Sequence, residues 1–119
     1  MSFQFEQLTV YQNARKLVQE VYVLIKKFPQ EEKFALGNQL RRCVTSVPIN
    51  IAEGSGSAFK KDNALFLNIA NRSLSETVAI LQLSSDLHLI DVSEYERLYE
   101  KFEILAKQLT ALRQSKLKK

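Results

Sequence analysis

Residues Gln39-Leu-Arg-Arg-Cys-Val-Thr-Ser-Val-Pro-Ile-Asn-Ile-Ala-Glu-Gly-Ser-Gly56 carry two regular stripes side by side. At about 100° per residue around a helix axis, Leu36, Leu40, Cys43, Val44, Val47 and Ile51 fall on one arc. Gln39, Arg42, Ser46, Asn50 and Glu53 fall on the neighbouring arc. The first arc is a core face. The second is too polar to be a buried stripe and too mixed for the lysine and glutamate of a solvated face, so it calls for a partner. Pro48 inside this segment removes one backbone hydrogen bond and crowds the carbonyl of Val44, which predicts a kink costing about 3 kcal/mol in an isolated helix. A break into two short helices near Val47 is the alternative. Gly54 and Gly56 are expected to close the helix in the left-handed conformation.

Working outward, the same three-four spacing recurs on both sides. Thr9 and Gln12 have capping-box spacing, and Ala14, Leu17, Val21, Leu24 and Phe28 follow on one stripe, with Tyr11, Val18, Tyr22 and Ile25 on a second. Phe28-Pro29 ends this helix, because the residue before proline is pushed out of helical geometry. After the Gly-Ser-Gly turn, Leu67, Ala70, Leu74, Leu81 and Ser84 mark a third helix, widened by Phe66, Ile69, Ile80, Leu83 and Leu87. Ser93 and Glu96 form a second capping-box pattern ahead of Tyr95, Leu98, Phe102, Leu105, Leu109 and Leu112. The helices are placed at about 9–28, 33–54, 59–88 and 94–116, with Lys116–Lys119 fraying. Short connections make an up-down-up-down antiparallel four-helix bundle with a kinked second helix the economical all-α architecture.

A chain of 119 residues fits a single domain, residues 1–119, and only 3 glycines and 2 prolines leave little material for hairpins or linkers. Cys43 is the only cysteine and His88 the only histidine, so neither an intramolecular disulfide nor a zinc site of the usual Cys and His type is expected. No basic start with an apolar run precedes the first helix, and no stretch approaches the roughly 20 apolar residues that span a bilayer. A reducing cytosol, with no membrane partner, is the expected compartment. The net charge of +4 permits attraction to a polyanion without requiring it.

Several elements together resemble a known family. They are Phe5-Glu-Gln-Leu8 with Val10-Tyr11 and Ala14, Phe28-Pro29, Gln39-Leu-Arg-Arg42, Ser46-Val-Pro-Ile-Asn-Ile-Ala-Glu-Gly-Ser-Gly56, Phe66-Leu67 with Ile69-Ala70, and Ser73-Leu74 with Glu76. The chain is similar over nearly its whole length to the small four-helix-bundle proteins encoded in intervening sequences of bacterial 23S rRNA genes. That resemblance implies a ring-like homopentamer. A related branch serves as the accessory protein of diversity-generating retroelements, binding nucleic acid and a reverse transcriptase, which implies both as partners. Three positions depart from the family pattern: Arg72 and His88 where glycine is usual or frequent, and Ser57 in place of a common basic residue.

The polar arc of Gln39, Arg42, Ser46, Asn50 and Glu53, with Ser73 and Glu76 facing it, reads as a hydrogen-bond network that fixes helix register or a subunit interface. A guanidinium binds a carboxylate through two parallel hydrogen bonds, so Arg42 is expected to pair with Glu76, or with Glu53 of a neighbouring subunit. Catalysis is not expected. Carboxylate di-metal bundles need Glu-x-x-His motifs that are missing here, Cys43 has no histidine near it in sequence, and Gly54-Ser-Gly56 has no preceding strand to make a phosphate loop. No metal or cofactor is implied. Asn71-Arg72-Ser73 fits a glycosylation sequon but falls within a helix. Arg15, Lys16, Arg41, Lys60, Lys61, Arg72, Arg113 and Lys116 are the candidate contacts to RNA or DNA. Five copies would carry a charge of about +20, enough to hold a polyanion through salt-sensitive phosphate contacts. With neither a recognition helix nor a base-stacking platform in the pattern, that binding is expected to ignore sequence. The reading is a non-enzymatic, self-associating helical module that binds nucleic acid; the alternative is a scaffold or adaptor, for instance to a reverse transcriptase, with an incidental basic surface.

Overall fold

A computed structural model describes residues 3–118 of the protein. A 3-10 turn at Gln4–Gln7 leads into α1 (Thr9–Ile25), the single-turn α2 (Gln30–Lys33), α3 (Leu36–Ser55), α4 (Lys60–Asp86) and α5 (Val92–Leu117). No strand occurs among the described residues. Four of these helices are long, and each places one apolar row in a common core: Ala14, Leu17, Val21 and Leu24 of α1; Leu40, Val44, Val47 and Ile51 of α3; Leu67, Ala70, Leu74 and Leu81 of α4; Leu98, Phe102, Leu105 and Leu109 of α5. These rows step by three or four, with the buried Thr77 filling the interval between Leu74 and Leu81, the period that keeps side chains on one side of a helix. The most extensive packing is α3 on α4, followed by α4 on α5 and α1 on α3, whereas α1 and α5 meet sparsely. Among the described residues two hydroxyls are buried in the core, and both are satisfied within their own helix: Thr77 donates to the Ser73 carbonyl (2.9 Å) and Ser84 to that of Ile80 (2.8 Å).

The helix ends differ from the expected ones, for local reasons. Thr9 and Ser93 are not caps. The residues preceding α1 and α5 are Leu8 and Asp91, neither with a side-chain cap, and Gln12 donates back to the Glu6 carbonyl instead (3.0 Å). The Glu6 carboxylate in turn accepts the Phe3 backbone N–H (3.0 Å), so the 3-10 turn takes up the side chains that would have capped α1. At the other end α1 stops at Ile25, because Pro29 bars helical geometry at Phe28. Phe28 nevertheless stays buried, and the extra turn of α2 follows, with the Pro29 carbonyl accepting Glu32 and Lys33 N–H (3.0 Å each). Helix α3 is continuous through the buried Pro48, without the break near Val47. Gly56 is right-handed (φ −79°), and no glycine has positive φ among the described residues, so the expected left-handed closure is absent. Gly54 is instead a close-approach site: a Cβ there would lie 2.8 Å from Phe66 Cβ and 3.2 Å from the Asn63 carbonyl oxygen of α4. Helix α5 continues through Leu117; of the tail expected to fray, Lys119 lies outside the described residues, as do Met1 and Ser2 of the N-terminal stretch judged for a leader.

Among the described residues the one left-handed position is His88, with φ 60°. It closes α4 in a Schellman arrangement: Leu89 N–H reaches the Ser84 carbonyl (2.9 Å) and His88 N–H that of Ser85 (3.0 Å). An L side chain in this conformation carries a penalty of about 1 kcal/mol that glycine escapes. His88→Gly should therefore raise stability by about 1 kcal/mol in urea unfolding, with an unchanged m-value.

Candidate functional site

The polar arc of α3 divides in two. Its inner members form a seam with α4: Ser46 Oγ and Ser73 Oγ are 2.9 Å apart, and Asn50 Nδ2 donates to both the carbonyl and the hydroxyl of Ser46 (2.8 Å each). All three are half-buried. The arrangement fixes the register of α3 on α4, because sliding either helix by one residue would separate the two hydroxyls and leave buried polar groups unpaired. Its outer members, Gln39, Arg42 and Glu53, are exposed, as is Glu76 of α4. Among the described residues none of these four makes a side-chain hydrogen bond or ion pair. The Arg42–Glu76 pair expected within the chain is thus not formed; an exposed pair gains at most about 1 kcal/mol, little against the freedom of two long side chains.

Beneath the seam, Cys43 is buried with its Sγ 3.2 Å from Thr77 Oγ1. Burial pushes the thiol above its ordinary value of 9.0, and the nearby Glu76 carboxylate adds to this, outweighing the Thr77 hydrogen bond. Such a thiol is protonated at neutral pH and a poor nucleophile.

A second polar line, not foreseen from the sequence, joins α1 and the turn after it to α5. Asn13 donates to Gln108 (3.2 Å), Glu20 is held by Arg97 and by Lys101 (3.1 Å), and Lys27 pairs with Glu94 (2.9 Å). Asn13, Glu20 and Lys27 are spaced by sevens, and so are Glu94, Lys101 and Gln108. That matched spacing was the available signal, but it acquires meaning only once the two helices are known to be neighbours. Partial burial raises the Glu20 carboxyl pKa, but hydrogen bonds and charge from Arg97 and Lys101 outweigh this and hold it below the ordinary 4.5. A carboxylate depressed on folding contributes stability above its unfolded pKa and loses it as pH falls through the folded one. Glu20→Gln should lower Tm at neutral pH, with the gap to the parent closing as pH drops below about 4.5, read as Tm against pH for both proteins.

The candidate cations are spread over several faces. Arg15, Lys16, Lys60, Lys61 and Arg72 are exposed. Arg15 leans over the Tyr11 ring at 5.7 Å, and Arg72 points outward beside the intact Ser46–Ser73 contact. Arg41 is engaged internally, donating to the Lys33 carbonyl (3.0 Å) and Asn38 Oδ1 (2.7 Å), so it ties α2 to α3. Arg113 is half-buried, and its Nε has no hydrogen-bond partner among the described residues. Lys116 is half-buried at the end of α5. Ser57, where a basic residue is common, bridges the turn before α4: its hydroxyl donates to Asp62 (3.1 Å) and accepts the Phe59 N–H (3.1 Å). Asn71 of the sequon donates to Thr110 of α5 (3.0 Å). Among the described residues no group of three or more His, Cys, Asp or Glu side chains is placed to hold a metal ion, and no helix is long and apolar enough to cross a membrane.

Four long helices around one core, with a hydroxyl-amide seam across the best-packed pair, define a small helical-bundle protein. The chain belongs to the 23S rRNA-intervening sequence protein family, whose model matches residues 6–111. It is similar to the crystal structure of a protein of unknown function from the S23 ribosomal protein family of Bacteroides thetaiotaomicron. The two share 24% sequence identity with a TM-score of 0.83, over 88% of this chain and 98% of that one, a likeness of fold. No curated protein matches significantly.

Proposed function

We propose that the protein is a non-enzymatic, self-associating bundle of the reducing cytosol that binds RNA or DNA without sequence preference through its basic surface. The observation that carries this reading is the state of Arg15, Lys16, Lys60, Lys61 and Arg72: all are exposed, and none is neutralised by an ion pair among the described residues. Such cations are free to displace counterions from phosphates. Self-association is supported by the outer flank of α3 and α4. There Ile49, Leu65, Leu83 and Leu87 are each more than half exposed, near the unpaired Gln39, Arg42, Glu53 and Glu76. Apolar surface mixed with unsatisfied charge is what an interface would cover, with Arg42 meeting Glu53 of a neighbouring copy. A ring of five and an accessory role beside a reverse transcriptase are what the family resemblance implies.

The architecture in this reading is up-down-up-down and antiparallel, with α3 kinked at Pro48. It is supported by contacts whose numbers rise on one segment as they fall on the other: Cys43–Thr77, Ser46–Ser73 and Gly54–Phe66 between α3 and α4, and Asn13–Gln108, Glu20–Lys101 and Lys27–Glu94 between α1, with the turn after it, and α5. Sedimentation velocity of the full chain, alone and with short RNA or DNA, tests the whole reading. It should run as an oligomer and shift further with nucleic acid, the shift disappearing as salt rises. A monomer at all concentrations would overturn self-association. No shift at low salt would overturn nucleic-acid binding and favour the scaffold, for which the groove between α1 and α5 beside the exposed Ile104 is the available surface.

A further inference from the structure

One end of the bundle holds a cavity of about 200 Å³, with Ser57 and Phe59 of the turn before α4 in its lining. It lies where the 3-10 turn, the end of α3, the start of α4 and the end of α5 converge. Its floor is apolar, from the buried Ile51 and Leu67 with Leu112. Its cationic lining is Lys60 and Lys116, and among the described residues no aspartate or glutamate lines it. Neither lysine is paired with an acid among the described residues. The Asp62 carboxylate, close in sequence, accepts the Ser57 hydroxyl and stays off the lining. Gln4 and Asn63 also line the cavity, and the side-chain amide of neither makes a hydrogen bond among the described residues.

On the rim stands Phe59, 70% exposed. Its backbone is fixed: the N–H donates to Ser57 Oγ (3.1 Å) and the carbonyl accepts Asn63 N–H (3.1 Å). An aromatic ring held out from a fixed turn, beside uncompensated ammonium groups and free amides, is complementary to a flat ring that carries an anion. The cavity is smaller than the clefts of about 300–1,000 Å³ that take drug-sized ligands, which suits one planar ring better than an extended ligand.

We infer that this end of the bundle seats one unpaired nucleotide of single-stranded nucleic acid, its base stacked on Phe59 and its phosphate held by Lys60 and Lys116. Asn63 and Gln4 offer donors and acceptors to the sugar or the base edge. This rests on the nucleic-acid reading above and adds a preference for single strands, since a paired base reaches Phe59 only at the cost of unpairing and unstacking. Stacking on an aromatic side chain accepts every base, so the preference is structural and leaves sequence unread.

The test is fluorescence anisotropy of the full chain with labelled oligouridine RNA, oligothymidine DNA and a duplex of equal length, at low salt. The parent should bind the single strands more tightly than the duplex. Phe59→Ala should weaken single-strand binding about tenfold or more and leave the duplex unchanged, and Phe59→Trp, which keeps a stacking face, should restore it. Lys60→Gln with Lys116→Gln should weaken the single strands more than the duplex. RNA and DNA strands binding alike, or one exceeding the other, both support an unpaired nucleotide and identify the sugar preferred. Equal binding of duplex and single strand, unmoved by Phe59→Ala, overturns the seat while leaving the surface reading intact. Failure of the parent to bind any of the three overturns both.

Discussion

Gly54→Val is expected to destabilise the protein by about 3 kcal/mol, near the upper end of overpacking costs. Helices α3 and α4 touch backbone to side-chain base at this point, where a single added carbon would meet Phe66 Cβ at 2.8 Å, the Asn63 carbonyl oxygen at 3.2 Å and Asn63 Cα at 3.5 Å. None of these atoms is the free end of a flexible side chain, so relief requires moving α4 away from α3 along the most extensive contact in the molecule. Gly54→Ala should cost less, because removing a glycine from a helix returns about 1 kcal/mol of propensity. Gly56→Ala is the control. There an added Cβ meets nothing nearer than 3.5 Å, and the backbone is right-handed, so the change should be neutral or stabilise slightly. Thermal unfolding separates the three: a fall of roughly 10 °C for valine, a smaller fall for alanine at Gly54, and none at Gly56. A Gly54→Val protein as stable as its parent would show that the helices yield at this crossing.

The double charge reversal Arg15→Glu with Lys16→Glu is the second large effect. Both side chains are exposed on α1 and neither anchors the core, so the variant should fold, losing only the contact of Arg15 with the Tyr11 ring, about 0.5–1 kcal/mol. If both cations contact phosphates, their removal lowers the slope of log affinity against log salt by about 0.9 each. At about 0.1 M salt that corresponds to a loss of several tens-fold in affinity. The measurement is binding to duplex DNA across a salt series, with Tm recorded alongside. An unchanged slope in a folded variant would remove this face of α1 from the proposed surface.

The four long helices were legible because each carries a row of apolar residues at one period. Leu98, Phe102, Leu105 and Leu109 need no knowledge of other helices to be read as a core face, and all four are buried. The inner half of the candidate site was legible for the same reason: Ser46 and Asn50 stand on one arc of α3. What eluded the sequence depends on neighbours. Gly54 looks like a helix terminator in one dimension, yet its use is to let Phe66 approach. Thr9 and Ser93 have capping-box spacing, but the chain enters α1 and α5 one or more residues earlier, so their hydroxyls are not at the cap position. Phe59 reads as the first apolar residue of a helix. Only the direction of the preceding turn, held by Ser57, leaves its ring in solvent.

The rungs that link α1 and the turn after it to α5 at intervals of seven have a consequence for chain length. An undistorted helix needs about 3.6 residues per turn, so a repeat of seven drifts by about 20° each time, and the seam must wind gently in a left-handed sense to keep its rungs aligned. One residue inserted in α1 between Asn13 and Glu20 would turn everything after it by about 100°. Glu20 and Lys27 would swing away from Lys101 and Glu94 together, and Val21 and Leu24 would leave the interior with them. An inserted residue is therefore expected to be tolerated in connections such as 56–59 and 87–91 rather than within α1, where the polar rungs and the apolar row share a single reading frame.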